Sequence, residues 1–94
     1  MKYRSRTDIA STILQGAIHG ATKTRLMYSA YLSYAQVQEY LAFLRDRNLI
    51  SFEEGTQQYK LTEHGLRFLR VYDEISEIVS LNGKSDKVAP NLLE

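Results

Sequence analysis

Cysteine is absent from the sequence, so neither a disulfide framework nor a thiolate metal site is open to it. A chain without thiols fits a reducing compartment. His19 and His64 are the only histidines, and two isolated imidazoles make no persuasive zinc site. No apolar run approaches the roughly 20 residues that cross a bilayer. The basic opening Met1-Lys2-Tyr3-Arg4-Ser5-Arg6 is not followed by the apolar segment and small-residue cleavage site of a signal peptide. A soluble, cytoplasmic protein with no membrane partner is the expectation. The sequence also lacks a Gly-rich phosphate loop and any nucleophile beside a base in a recognisable motif, and 94 residues leave little volume for a substrate pocket. No enzyme is expected, and no cofactor, metal or small-molecule ligand. The one proline falls in the polar stretch 82–94, which reads as a flexible tail.

The content is that of one domain with a modest core: 44% of residues are apolar and 24% charged, both ordinary for a globular protein. The net charge of +1 conceals an uneven distribution. Residues 1–50 carry seven Lys and Arg (2, 4, 6, 23, 25, 45, 47) against three acids (8, 39, 46), whereas residues 51–94 carry five (60, 67, 70, 84, 87) against eight (53, 54, 63, 73, 74, 77, 86, 94). A basic first half suggests a polyanion partner for it.

Ile9, Ile13 and Ala17, with Ala10, Leu14 and Ile18 one position on, make a broad helical stripe from Thr7 to His19. Thr7 can cap its start and Gly20 its end. A short second helix is predicted from Thr22 to about Ala30, with Leu26 and Ala30 inward. After a three-residue break at Tyr31-Leu32-Ser33, the pattern Ser33-x-x-Gln36 is a capping box that opens a third helix at Tyr34. That helix turns Val37, Leu41 and Leu44 to the core and ends near Arg47-Asn48. Leu49 to Phe52 and Gln57 to Leu61 read as the two strands of a hairpin, with Gly55 at its tip. Thr62 then caps a fourth helix of about nineteen residues, roughly 28 Å long, which runs to Leu81 and is stopped by Asn82-Gly83. The fold expected is mainly α with a small β-hairpin, in the order helix-helix-helix-strand-strand-long helix, a winged helix-turn-helix. Its parts are a basic arm (1–6), the core (7–62), a C-terminal dimerisation helix (63–81) and the tail (82–94).

The segments Lys23-Thr24-Arg25-Leu26-Met27-Tyr28, Leu32-Ser33-Tyr34, Tyr40-Leu41, Leu49-Ile50 and Tyr59-Lys60-Leu61-Thr62-Glu63-His64-Gly65 carry a resemblance. The chain resembles the small archaeal winged-helix DNA-binding proteins, including the group that dimerises through a C-terminal coiled-coil helix. The similarity spans roughly residues 7–81. It implies DNA binding, with the helix at 34–47 as the recognition element and the helix at 63–81 as the dimer element. Two departures stand out. The hairpin tip carries Glu53 and Glu54, which disfavour phosphate, and the last helix is short for an extended coiled coil.

With Val37, Leu41 and Leu44 inward, Ala35, Glu39, Ala42 and Asp46 of the third helix point outward, flanked by Gln38 and Arg45 on one side and Gln36 and Arg47 on the other. Small Ala35 and Ala42 would let the helix sit deep in a major groove about 12 Å wide. Tyr34, Gln36 and Gln38 are the candidates for base contact, the glutamines suiting an adenine edge. The phosphate candidates are Thr22, Lys23, Thr24 and Arg25 at the second helix, Ser33 at the turn, Arg45 and Arg47 further along, and Lys2, Arg4 and Arg6 of the arm. An unattached basic terminus explains the last three equally well. Glu39 and Asp46 repel phosphate. Glu39 alternatively accepts from a cytosine amino group or pairs with a neighbouring Arg. Tyr28 and Tyr31 join Tyr34 around the turn.

The fourth helix carries more apolar residues than one stripe needs. Phe68, Val71, Tyr72, Ile75, Ile78 and Val79 are therefore assigned to a homodimer seam, since a large exposed apolar patch is unusual on a monomer. The function expected is double-stranded DNA binding as a homodimer, in a transcriptional regulator or a chromatin-associated protein. The alternative is a winged-helix protein-interaction module without DNA affinity.

Overall fold

Ser5 opens the first helix, α1 (Arg6–Gly16), through a reciprocal pair of hydrogen bonds. Its hydroxyl accepts from the Asp8 backbone N–H at 3.0 Å, and the Asp8 carboxylate accepts from the Ser5 N–H at 3.1 Å. Two donors that a helix start leaves orphaned are thereby satisfied. The structure, a computed structural model, describes residues 4–79. The cap is thus Ser5 rather than the expected Thr7, and Arg6, assigned to a basic arm, is the first helical residue.

The helix also ends earlier than its apolar repeat suggests, at Gly16 rather than His19. The Ala17 carbonyl accepts from the Leu61 N–H at 3.0 Å, drawing the chain towards the hairpin. Gly20, at φ +90°, then turns it so that Ala21 and Tyr59 exchange both backbone hydrogen bonds, at 3.0 and 2.7 Å. A side chain would be strained at that φ. Gly20 therefore serves this pairing and not the helix end, and Ile18, placed on the buried stripe by periodicity, is exposed.

Thr22 caps α2 (Lys23–Ser29), its hydroxyl accepting from the Arg25 N–H at 3.3 Å. Leu26 and Ala30 are fully buried, as their spacing predicts. The turn that follows contains Tyr31 at φ 55°, a left-handed conformation unusual for a tyrosine. Ser33 then caps α3 (Tyr34–Asp46) with the expected capping box: Ser33 Oγ accepts from the Gln36 N–H at 3.1 Å, and Gln36 Oε1 accepts from the Ser33 N–H at 2.9 Å.

Asn48, also left-handed at φ 61°, turns the chain into β1 (Ile50–Glu53), which pairs antiparallel with β2 (Gln58–Leu61) in the register Ile50↔Leu61 to Glu53↔Gln58. The left-handed residue of the connecting loop is Gln57, at φ 59°, not Gly55. The Gln57 amide donates to the Glu54 carbonyl at 2.9 Å, which closes the loop and delays β2 by one residue. Thr62 caps α4 (Glu63–Ile78) by accepting from the Gly65 N–H at 2.9 Å, while its hydroxyl donates to the Asn48 carbonyl at 2.8 Å. The order of elements is the expected one, three helices, a hairpin and a helix. Leu81 and the stretch 82–94 lie outside the described residues.

The core gathers Ile13 and Leu14 of α1, Leu26 of α2, Val37, Leu41 and Leu44 of α3, Ile50 of β1, Tyr59 of β2 and Leu69 of α4. Two residues assigned to a dimer seam belong partly to this interior. Phe68 packs against the core, and the Tyr72 hydroxyl donates to the Asp8 carboxylate, because both lie on the side of α4 that covers α1. Val71, Ile75, Ile78 and Val79 remain exposed.

Candidate nucleic-acid interface

The turn at Tyr31–Ser33 brings the start of α2 beside the start of α3, and one ammonium joins them. Lys23 Nζ donates to Gln38 Oε1 at 2.6 Å and to the Tyr34 hydroxyl at 3.3 Å, and lies 4.9 Å from the centroid of the Tyr34 ring. Lys23 is half-buried, whereas Tyr34 and Gln38 are exposed. A residue assigned to phosphate and two assigned to bases thus form a single cluster. Sequence spacing gave no sign of it, since Lys23 and Gln38 sit on different helices whose mutual angle the turn decides.

Around the cluster, Gln38, Ala42 and Arg45 of α3 line a shallow surface depression of about 200 Å³ with Lys23, Leu41 and Tyr59. Thr22, Thr24, Arg25, Ser33 and Ala35 are exposed beside it, and no salt bridge among the described residues holds Arg25 or Arg45. The Arg45 guanidinium lies 5.5 Å from the Phe52 ring. The edge as a whole presents cations and hydroxyls, the chemistry that holds phosphates.

The remaining candidates are dispersed. Gln36, on the opposite flank, has its side-chain oxygen engaged by the Ser33 N–H, so the adenine contact expected of it would compete with the cap. Arg47 shares that flank: its guanidinium is 3.6 Å from the Asp46 carboxylate and 4.3 Å from the Phe43 ring. Arg6 lies over Tyr40 at 5.6 Å, in a groove that Phe43 and Phe68 also line. Arg4 is tied to the fold, donating to the Ala30 carbonyl at 2.7 Å, at the end of α2. There a cation satisfies a carbonyl that the helix leaves without a partner. Lys2 lies outside the described residues.

On the outward face of α3, Glu39 and Asp46 are exposed. In the hairpin, Glu53 pairs with Lys60 at 3.2 Å, and Glu54 is exposed at the tip. Tyr28 and Tyr31, like Tyr34, are exposed around the helix-turn-helix turn. Among the described residues no group of three His, Cys, Asp or Glu side chains is placed to hold a metal ion, and no helix is long and apolar enough to cross a membrane.

No curated protein is significantly similar to the chain. A family model described as winged helix-turn-helix matches residues 3–80, a span that contains all four helices and the hairpin. The observed order, three helices, a two-stranded hairpin and a helix, is that of a winged helix. The chain belongs to the winged helix-turn-helix family.

Proposed function

We propose that the protein binds double-stranded DNA, with α3 in the major groove and the start of α2 on the phosphate backbone. The observation that carries this reading is the Lys23–Gln38 bond of 2.6 Å, which sets a cationic helix start and the first turns of α3 on one exposed edge. Thr22, Thr24, Arg25, Ser33 and Arg45 surround that edge and are assigned to phosphates; Tyr34 and Gln38 are assigned to bases. Arg4, Arg6 and Arg47 are engaged elsewhere and drop to secondary contacts. Small Ala35 and Ala42 leave room for the groove wall, and Glu39 and Asp46 oppose indiscriminate phosphate binding.

The protein acts as a homodimer in this proposal, as befits a transcriptional regulator or a chromatin-associated protein of the cytoplasm. Support comes from α4, where Ile75 is 54% and Ile78 80% exposed. Together with Val71 and Val79 they form an apolar strip that a second copy would cover. The exposed Glu54 at the wing tip favours the alternative, a module that binds protein through the same fold.

A titration of the full chain against random-sequence duplex DNA over a salt series decides between them. DNA binding predicts an affinity that falls linearly with salt on a double-logarithmic plot. An absence of binding at low salt contradicts the proposal and leaves the protein-interaction reading.

A further inference from the structure

The hydrogen bonds of the Lys23 cluster have a direction, and the direction limits which base it can read. An ammonium has three donors and no acceptor. Two of them go to Gln38 Oε1 and the Tyr34 hydroxyl. The opposite orientation of the Gln38 amide would set its NH₂ group against the ammonium, donor against donor, so the carbonyl oxygen is held towards Lys23 and the NH₂ group is turned out. The Tyr34 oxygen accepts from Lys23, so its own proton points away as well. Towards solvent the cluster offers the amide NH₂, the phenol O–H and the third ammonium proton. All three are donors.

Base edges in the major groove differ in what they present. Guanine shows two adjacent acceptors, N7 and O6; adenine shows an acceptor beside a donor; cytosine shows a donor; thymine shows an acceptor beside a methyl group. Adenine's two-point contact with glutamine needs the amide oxygen to face the base, whereas here it is turned towards Lys23. We propose that Lys23, Tyr34 and Gln38 form a cluster that turns its donors outward and reads guanine, with Lys23 as the positioning residue that fixes the Gln38 amide. The inference rests on the DNA-binding proposal and replaces the adenine contact expected of Gln38 from sequence. It also moves Lys23 from the backbone to the base-reading side of the interface.

The test uses the full chain and a preferred duplex obtained by selection from randomised DNA. A guanine is expected opposite the start of α3. Replacing it with 7-deazaguanine, which lacks the N7 acceptor but pairs normally, should weaken binding about five- to a hundredfold. Inosine, which keeps N7 and O6, should bind as guanine does. Lys23→Met releases the Gln38 oxygen and should shift the selected base from guanine towards adenine, a change of preference that loss of a phosphate contact would not produce. Equal binding of guanine and 7-deazaguanine overturns the inference, as does adenine in the wild-type site or a uniform loss on all sequences in Lys23→Met. In each of these cases the protein still binds DNA, so the broader proposal stands. Failure to bind any duplex removes both.

Discussion

The phenol of Tyr72 donates its proton to the carboxylate of Asp8, sixty-four positions earlier in the chain, and so fastens α4 to the first turn of α1. The same carboxylate caps α1 through the Ser5 N–H. Asp8 is held below the usual carboxylate range, first by the Tyr72 hydroxyl and then by the Ser5 N–H, against the opposing effect of desolvation. Tyr72 is raised above the usual phenol value, first by its bond to Asp8 and then by burial.

These shifts give the contact a pH window. A carboxyl depressed in the folded state stabilises the fold above its unfolded pKa, and the benefit is lost as pH falls through the folded value. A phenol raised in the folded state stabilises below its unfolded pKa, and that benefit is lost as pH rises through the folded value. Tyr72→Phe should therefore destabilise the protein by about 1 kcal/mol near neutral pH, a value reduced for partial exposure. The difference from wild type should shrink both below about pH 4 and above about pH 10. Denaturant unfolding across pH checks it; a difference independent of pH would show that the loss is one of packing alone.

Gly65 explains the run Leu61-Thr62-Glu63-His64-Gly65 after the wing. A Cβ there would stand 2.2 Å from the Leu49 carbonyl oxygen and 2.6 Å from Leu61 Cδ1. Neither the backbone nor a packed leucine yields cheaply. Gly65→Ala should cost about 2–3 kcal/mol, read as a lower unfolding midpoint. A neutral result would mean that α4 docks on Leu49 and β2 less closely than described.

Tyr31 offers the opposite case. It holds φ 55°, yet its side chain is 84% exposed, so little packing is lost with it. Tyr31→Gly should relieve left-handed strain and stabilise by about 0.5–1 kcal/mol. Calorimetry should show a midpoint higher by a few degrees. A lower midpoint would indicate that the ring is held by contacts of its own.

Ile78 distinguishes association from folding. Being largely exposed on one copy, it should tolerate Ile78→Glu within about 0.5 kcal/mol of monomer stability. In a homodimer seam the same change buries a charge without a partner and shifts the equilibrium towards monomer. Sedimentation over a concentration series reads this directly, and a wild type that is monomeric at every concentration contradicts the seam.

Much of this was legible in the residues. The Ser33–Gln36 capping box fixed the start of α3, and the spacing of Val37, Leu41 and Leu44 fixed its buried face, because both signals are local. The errors came where distant segments overrode local pattern. Periodicity carries the first helix to His19, but pairing of Ala21 with Tyr59 ends it at Gly16. The start of α1 is different, because Ser5-x-x-Asp8 is itself a local capping signal, two residues before the expected Thr7. The roles of Arg4, Phe68 and Tyr72 were hidden because each depends on an element that only tertiary packing brings near. The Lys23 cluster was hidden for the same reason: residue type suggested phosphate for the lysine and adenine for the glutamine, and only their contact shows that each changes what the other can do.

Arg25 provides the most direct test of the proposed DNA-binding edge. It lies in the first turn of α2, exposed and without a salt bridge among the described residues, so its replacement disturbs little else. Arg25→Ala should weaken binding to selected and random duplexes by the same factor and reduce the magnitude of the salt slope by about 1. If both affinities and the slope are unchanged, the start of α2 does not lie on the DNA backbone, and the proposed docking of this helix-turn-helix is wrong.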